Sequence, residues 1–217
     1  MASSRRACSA SCWLRSSIWA WVTVEAGRLS LSAGYAQADL AVHRDSAATL
    51  DLSPQLLARL TGSGADASFS SLGLQWDDGR WIVSAELART TADAFTNSAT
   101  GAYFALARRF GSLTPYVSLA KQWQDQPLVN VAEATTDAER YLITSFNRSR
   151  NQAQRSLTAG VRWDVLHNAA IKAEFAHMRT DSGAHGSFIA RDNDNAFAPG
   201  LDHQSINLMS ISVDVVF

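Results

Sequence analysis

Cysteine is nearly absent: the only two, Cys8 and Cys12, sit together near the start, so no disulfide or metal framework can run through the body of the chain. Charge of one sign is also missing. Lys and Arg number 19 against 20 Asp and Glu, a formal net charge of −1, which gives no electrostatic basis for nucleic-acid binding or for steering an acidic substrate. No uncharged apolar run reaches the ~18 residues of a transmembrane helix, so any membrane crossing must be made by strands. A secretory leader is not evident either. Residues 1–17 start basic and small, but Arg15 and several serines interrupt the apolar stretch that a leader needs. A lipoprotein reading of Cys8 or Cys12 lacks a leucine-rich approach. This segment is expected to be irregular, a misassigned or truncated start, with one domain over 18–217. No internal repeat of 20 to 50 residues is present, and no cofactor is implied.

What the chain does have is alternation. In the last thirteen residues Met209, Ile211, Val213, Val215 and Phe217 fall on one side, and Ser210, Ser212 and Asp214 on the other. The same rhythm recurs from Ile18 to Val24 and from Leu29 to Ala36. It continues in ASFSSLGLQW, WIVSAELART, GAYFALARRF, LTPYVSLAKQW, RSLTAGVRWDV and AAIKAEFAHM, giving about nine strands. Pro115 weakens one strand but is tolerable near its start. Between strands, Ser53, Pro54 and Gly62 suggest a short helix within a long loop. Residues 124–151 and 180–204 are expected to be long polar loops.

One face of these strands is apolar. The other carries Ser, Thr, Gly and Ala with Tyr116 and scattered charges: Glu86, Arg109, Arg162, Asp164, Lys172, Glu174 and Asp214. Alternation alone fits any half-buried antiparallel sheet, but the small polar residues leave room for a wet interior. The connections alternate too. Short turns fall near 25–28, 77–80, 111–112 and 166–168, and longer loops near 43–66, 91–98, 124–151 and 180–204, the asymmetry of outer-membrane barrels. Trp76, Trp81, Phe110, Trp163 and Phe217 lie on the apolar face beside short turns or the end, so they are expected at one level as an interfacial girdle. Arg89 and Arg108 have apolar-face parity. An arginine there costs about 2–4 kcal/mol at midplane and little near the rim, so both are expected to snorkel from strand ends.

The segments DDGRWIVSAELART, FGSLTPYVSLAKQW and RSLTAGVRWDVLHNAAIKAEF, followed by INLMSISVDVVF, resemble the C-terminal half of proteobacterial porin-like outer-membrane proteins, over roughly residues 20–217. The resemblance implies an all-β antiparallel transmembrane barrel of 16 or more strands, of which these nine are the C-terminal part. It further implies a passive channel for small hydrophilic solutes in the bacterial outer membrane. The charges and Tyr116 on the polar face would line the pore, and the closing strand would engage the barrel assembly machinery. A full-length protein of this kind would sit in outer-membrane lipid as a homotrimer.

Two other readings of the sequence compete with this one. An enzyme needs a site, and the candidates are His177, His185 and His203 with Asp181 and Asp202; no serine stands beside them in a nucleophile motif. Asp192 and Asp194 have calcium-loop spacing but lack the glycine and closing glutamate of that loop. The chain is therefore read as a non-enzyme with no metal site. The alternative architecture is an eight-stranded non-channel barrel from Leu29 to Phe217 with a structural or adhesion role, whose interior the small residues would leave underfilled.

Overall fold

A computed structural model describes residues 10–44, 63–92, 98–125, 129–187 and 203–216. The strands are β1 (Ala10–Ala26), β2 (Leu29–Arg44), β3 (Ser63–Asp77), β4 (Trp81–Ala92), β5 (Ala99–Arg108), β6 (Leu113–Gln124), β7 (Gln154–Leu166), β8 (Ala169–Thr180) and β9 (Ser205–Val215). They form a single antiparallel sheet in which each strand pairs with its sequence neighbours, β1 to β9. The all-β antiparallel meander expected from the alternation is the fold observed. Among the described residues β1 and β9 do not pair with each other, and the sheet is open.

An antiparallel meander sends successive connections to opposite edges, so the alternation of short and long connections sorts them. The β1–β2, β3–β4, β5–β6 and β7–β8 turns lie along one edge and the long loops along the other. Three of the short turns use a glycine in the left-handed region, Gly27, Gly79 and Gly111 at φ 62°, 87° and 59°, where a Cβ would be strained. In the β3–β4 turn, Asp77 accepts from the N–H of Gly79 and Asp78 accepts from the N–H groups of Arg80 and Trp81, at 2.6–2.8 Å. Pro115 sits where its missing donor is not needed. It pairs with Val161 of β7, while the β5–β6 ladder begins one residue later, at Tyr116.

Several boundaries differ from expectation. Strand β1 begins at Ala10, so 10–17 is not irregular; it pairs with the far end of β2 across a register shift between Leu14 and Ser17. Strand β5 stops at Arg108, which leaves Arg109 in a turn. The 124–151 stretch is not merely loop. It holds a 3-10 turn (Val131–Glu133) and a 14-residue helix, α1 (Asp137–Arg150). The helix expected near 53–62 lies outside the described residues. A barrel closed on eight strands would join β2 to β9, but β2 is hydrogen-bonded on both edges, to β1 and β3, so that alternative does not fit.

Burial in the sheet is inverted relative to a water-soluble protein. Met209 and Ile211 are 80% and 79% exposed, and Leu72, Leu87, Leu119, Leu157 and Val213 are exposed on the same face. The larger buried apolar side chains sit instead in the loop layer, where Val129, Ile143 and Phe146 form one cluster. No described helix is long and apolar enough to cross a membrane.

Candidate functional site

Register assigns every strand residue to a face, because directly paired residues point the same way. On the apolar face Trp76 pairs with Leu29 and Val83, and Trp163 with Leu113 and Ile171. Trp81 opens β4 and Phe110 bridges to Leu113. These four aromatics all stand near the short-turn edge; Phe217 lies outside the described residues. Arg108 is on this face opposite Trp81, with its guanidinium 4.8 Å from the Trp81 ring and 4.7 Å from the Phe110 ring. Two aromatic faces thus offset the cost of a cation at that level.

At the opposite edge the same face turns polar. Ser68 and Thr91 share a 2.6 Å hydrogen bond, and Arg89 reaches Asp125 at 3.3 Å. His177 meets Asn207 at 2.8 Å, Arg179 meets His203, and Lys121 pairs with Asp181 at 3.1 Å. Arg89 and Arg108 are therefore accommodated at opposite ends of the apolar band by different means. Asp192, Asp194 and Asp202 lie outside the described residues, and His185 sits in the β8–β9 connection, where its N–H donates to the Asn151 carbonyl.

The polar face gathers six of the eight singled-out residues on β6 to β9. Arg162 donates through Nε to Asp164 at 2.8 Å and reaches Asp214 at 3.5 Å. Lys172, the direct register partner of Arg162, pairs with Glu174 at 2.9 Å, and Ser210 donates to the same carboxylate at 3.3 Å. Ala170 lies between Asp164 and Asp214 in register and is only 2% exposed, covered by the longer side chains around it. Tyr116 faces Gly160 across the β6–β7 pair, and a Cβ on that glycine would come within 2.4 Å of the tyrosine ring. The ring fills the space the glycine leaves open, and Lys172 Nζ stands 5.5 Å from its centre. Trp21 packs in the same way on Gly34, its partner on β2.

Glu86 and Arg109 are not in this group. Glu86 is on β4, opposite Gly73 and Tyr103. Arg109 stands at the short-turn edge and makes a two-pronged bridge to Asp77, at 2.6 and 2.7 Å. Asp77 was missed by sequence reasoning because its partner is 32 residues away; the adjoining Asp77-Asp78-Gly79 was read only as a turn signal. In that turn the N–H groups of Trp81 and Arg80 hold the Asp78 carboxyl below its ordinary value.

No protein-family model matches the chain, and no curated protein matches its sequence significantly. Among solved structures, OccK3 (OpdO) of Pseudomonas aeruginosa is similar over 95% of this chain, with 12% identity and a TM-score of 0.37. The alignment covers 65% of OccK3, so the chain spans less than two thirds of that protein.

Proposed function

We propose that the chain forms part of the wall of a porin-like channel in the outer membrane of a Gram-negative bacterium, passing ions and small hydrophilic solutes passively and catalysing no reaction. The observation that carries this reading is the inverted sheet. Side chains such as Met209 and Ile211 stand exposed, although burying an apolar side chain of that size is worth about 1.5–3 kcal/mol. An exposed apolar area spread over most of nine strands exceeds the few hundred Å² that soluble monomers tolerate. Lipid tails remove the penalty.

Trp81, Val83, Ala85 and Leu87 on β4, or Leu113, Pro115, Val117 and Leu119 on β6, give four alternate apolar positions. Their six steps cover about 20 Å along a strand at ~3.3 Å per residue, or about 15 Å after a ~40° tilt, about 10 Å less than the ~25 Å band of outer-membrane barrels. On this reading the polar face is the lumen. Glu86, Tyr116, Arg162, Asp164, Lys172, Glu174 and Asp214 line it, with Arg109 at the short-turn mouth. Mixed signs make such a wall weakly selective. Trp76, Trp81, Phe110, Trp163 and Phe217 form the girdle at the short-turn, periplasmic level. The open edges of β1 and β9 call for further strands to complete the barrel. The resemblance to porins extends the proposal to a homotrimer whose closing strand engages the assembly machinery.

The test is refolding into phosphatidylcholine vesicles, followed by gel mobility with and without heating and by conductance in planar bilayers. A heat-modifiable band and ion conductance are expected. A stable monomer recovered without detergent would overturn the membrane reading; insertion without conductance would overturn the channel.

A further inference from the structure

The loop edge of the apolar face carries a charge pattern that the channel reading leaves unexplained. Lys121, Arg155 and Arg179 are consecutive partners in one register row across β6, β7 and β8. All three have apolar-face parity, two residues beyond Leu119, Leu157 and His177 on the same strands. Like charges placed directly opposite in a sheet repel. Among the described residues one carboxylate answers the three, Asp181, bound to Lys121; Arg179 meets the imidazole of His203 rather than an acid. Elsewhere along this edge the polar groups are matched, as Arg89 is by Asp125 and Ser68 by Thr91. The excess positive charge is local.

Directly below the row the face is hollow. A groove of about 540 Å³ has Phe104, Leu119 and Leu157 as its apolar floor, and Lys121, Arg155 and Arg179 border it. Cations over an apolar trough complement a molecule with an anionic head and hydrocarbon tails. From this we infer that the groove is a binding site for a phosphorylated lipid of the leaflet at the loop edge, its phosphate held between Arg155 and Arg179 and its acyl chains on Phe104, Leu119 and Leu157. Arginine suits this role, since its planar fork takes two phosphate oxygens at once. Two residues of strand separate cations from floor, about 6–7 Å, a spacing that places headgroup and chains at successive depths. The inference rests on the membrane reading above, because only that reading puts this face in lipid.

The test uses the 217-residue chain, first inserted into phosphatidylcholine vesicles and then taken into mixed micelles of phosphatidylcholine and phosphatidic acid for native mass spectrometry. The wild type is expected to retain phosphatidic acid at least tenfold over phosphatidylcholine, and the triple variant K121Q/R155Q/R179Q to lose that preference. The single variant R155Q, at an exposed position, is expected to lower retention about threefold and stands in if the triple variant does not fold. Excess inorganic phosphate should leave retention unchanged, because it has no chains for the groove; displacement by it would overturn the lipid assignment. Equal retention of both lipids by inserted wild type, or undiminished retention by the variants, would overturn the site. Failure of wild type to insert at all is a different result: it removes the membrane reading, and the site with it.

Discussion

The sheet and the loop layer of this chain obey opposite burial rules. Along β6 to β9 the apolar residues Leu119, Leu157, Phe175 and Ile211 are exposed, while Ala170 and Ala176 on the opposite face are buried. In the connection between β6 and β7, Ile143 is 1% exposed and packs with Val129 and Phe146, while Tyr141 on the same helix faces outward. The loop layer buries its apolar side chains as a protein does in water, and the sheet does not; on the membrane reading proposed above, the sheet lies between lipid and water.

The contrast is broken most severely from the loop side. Phe146→Ala should cost about 3–5 kcal/mol of local stability through the cavity it leaves. Amide exchange should accelerate across α1 and the Val129 segment, where Asn147 also clasps Val129 through both its N–H and its carbonyl. Protection in β2 to β5 should not change. Loss of protection throughout the sheet would show that the two layers fold as one unit.

Next in size is a charge on the apolar band. Val117→Arg, near the middle of the apolar run of β6, should cost about 2–4 kcal/mol in vesicles, whereas Ser118→Lys, one residue along and on the other face, should stay within about 0.5 kcal/mol. Urea unfolding of vesicle-inserted protein gives both values. If Val117 faced water, its replacement by arginine would be nearly neutral, and equal small effects at the two positions would sink the assignment of faces.

A smaller effect tests the packing of the polar face. Gly160→Ala places a methyl within 2.4 Å of the Tyr116 ring and 2.9 Å of the Ala173 carbonyl oxygen, and should cost about 1–3 kcal/mol as overpacking does. Adding Tyr116→Ala relieves only the first clash. Partial rescue in the double variant is expected, and its absence would mean that the ring does not rest on the glycine.

These particulars separate what was legible in the sequence from what was not. Strand alternation is local, with period two, so the hairpins, the strand count and the facing of Leu119 against Ser118 could be read residue by residue. Helix α1 reads in sequence as a polar loop because only Leu142, Ile143 and Phe146 mark its apolar side. Yet Thr136 and Glu139 carried a start signal: the Thr136 hydroxyl accepts from the Glu139 N–H, and the Glu139 carboxylate reaches back to Thr135. Asp137 with Glu139 at one end and Arg148 with Arg150 at the other suit the helix dipole. The Asp77–Arg109 bridge and the cation row across β6, β7 and β8 depend on register between strands, which no single segment encodes.

The smallest effect on stability should bring the clearest change in function. Arg162 is the better residue for reversing charge on the polar face, since Arg109 is held in a two-pronged bridge whose loss would disturb the β3–β4 turn as well as the charge. The Arg162 side chain is half exposed and its partners Asp164 and Asp214 are equally open, so the pair is worth no more than about 1 kcal/mol. Around it stand one further cation, Lys172, and three carboxylates, Asp164, Glu174 and Asp214. Arg162→Glu turns that near balance into a clearly acidic patch, and reversal potentials in a salt gradient should move toward cations. Conductance should persist. A large loss of folded protein with unchanged selectivity would place Arg162 in a packed interior rather than on a wet wall, and the two faces of the sheet would have to be exchanged.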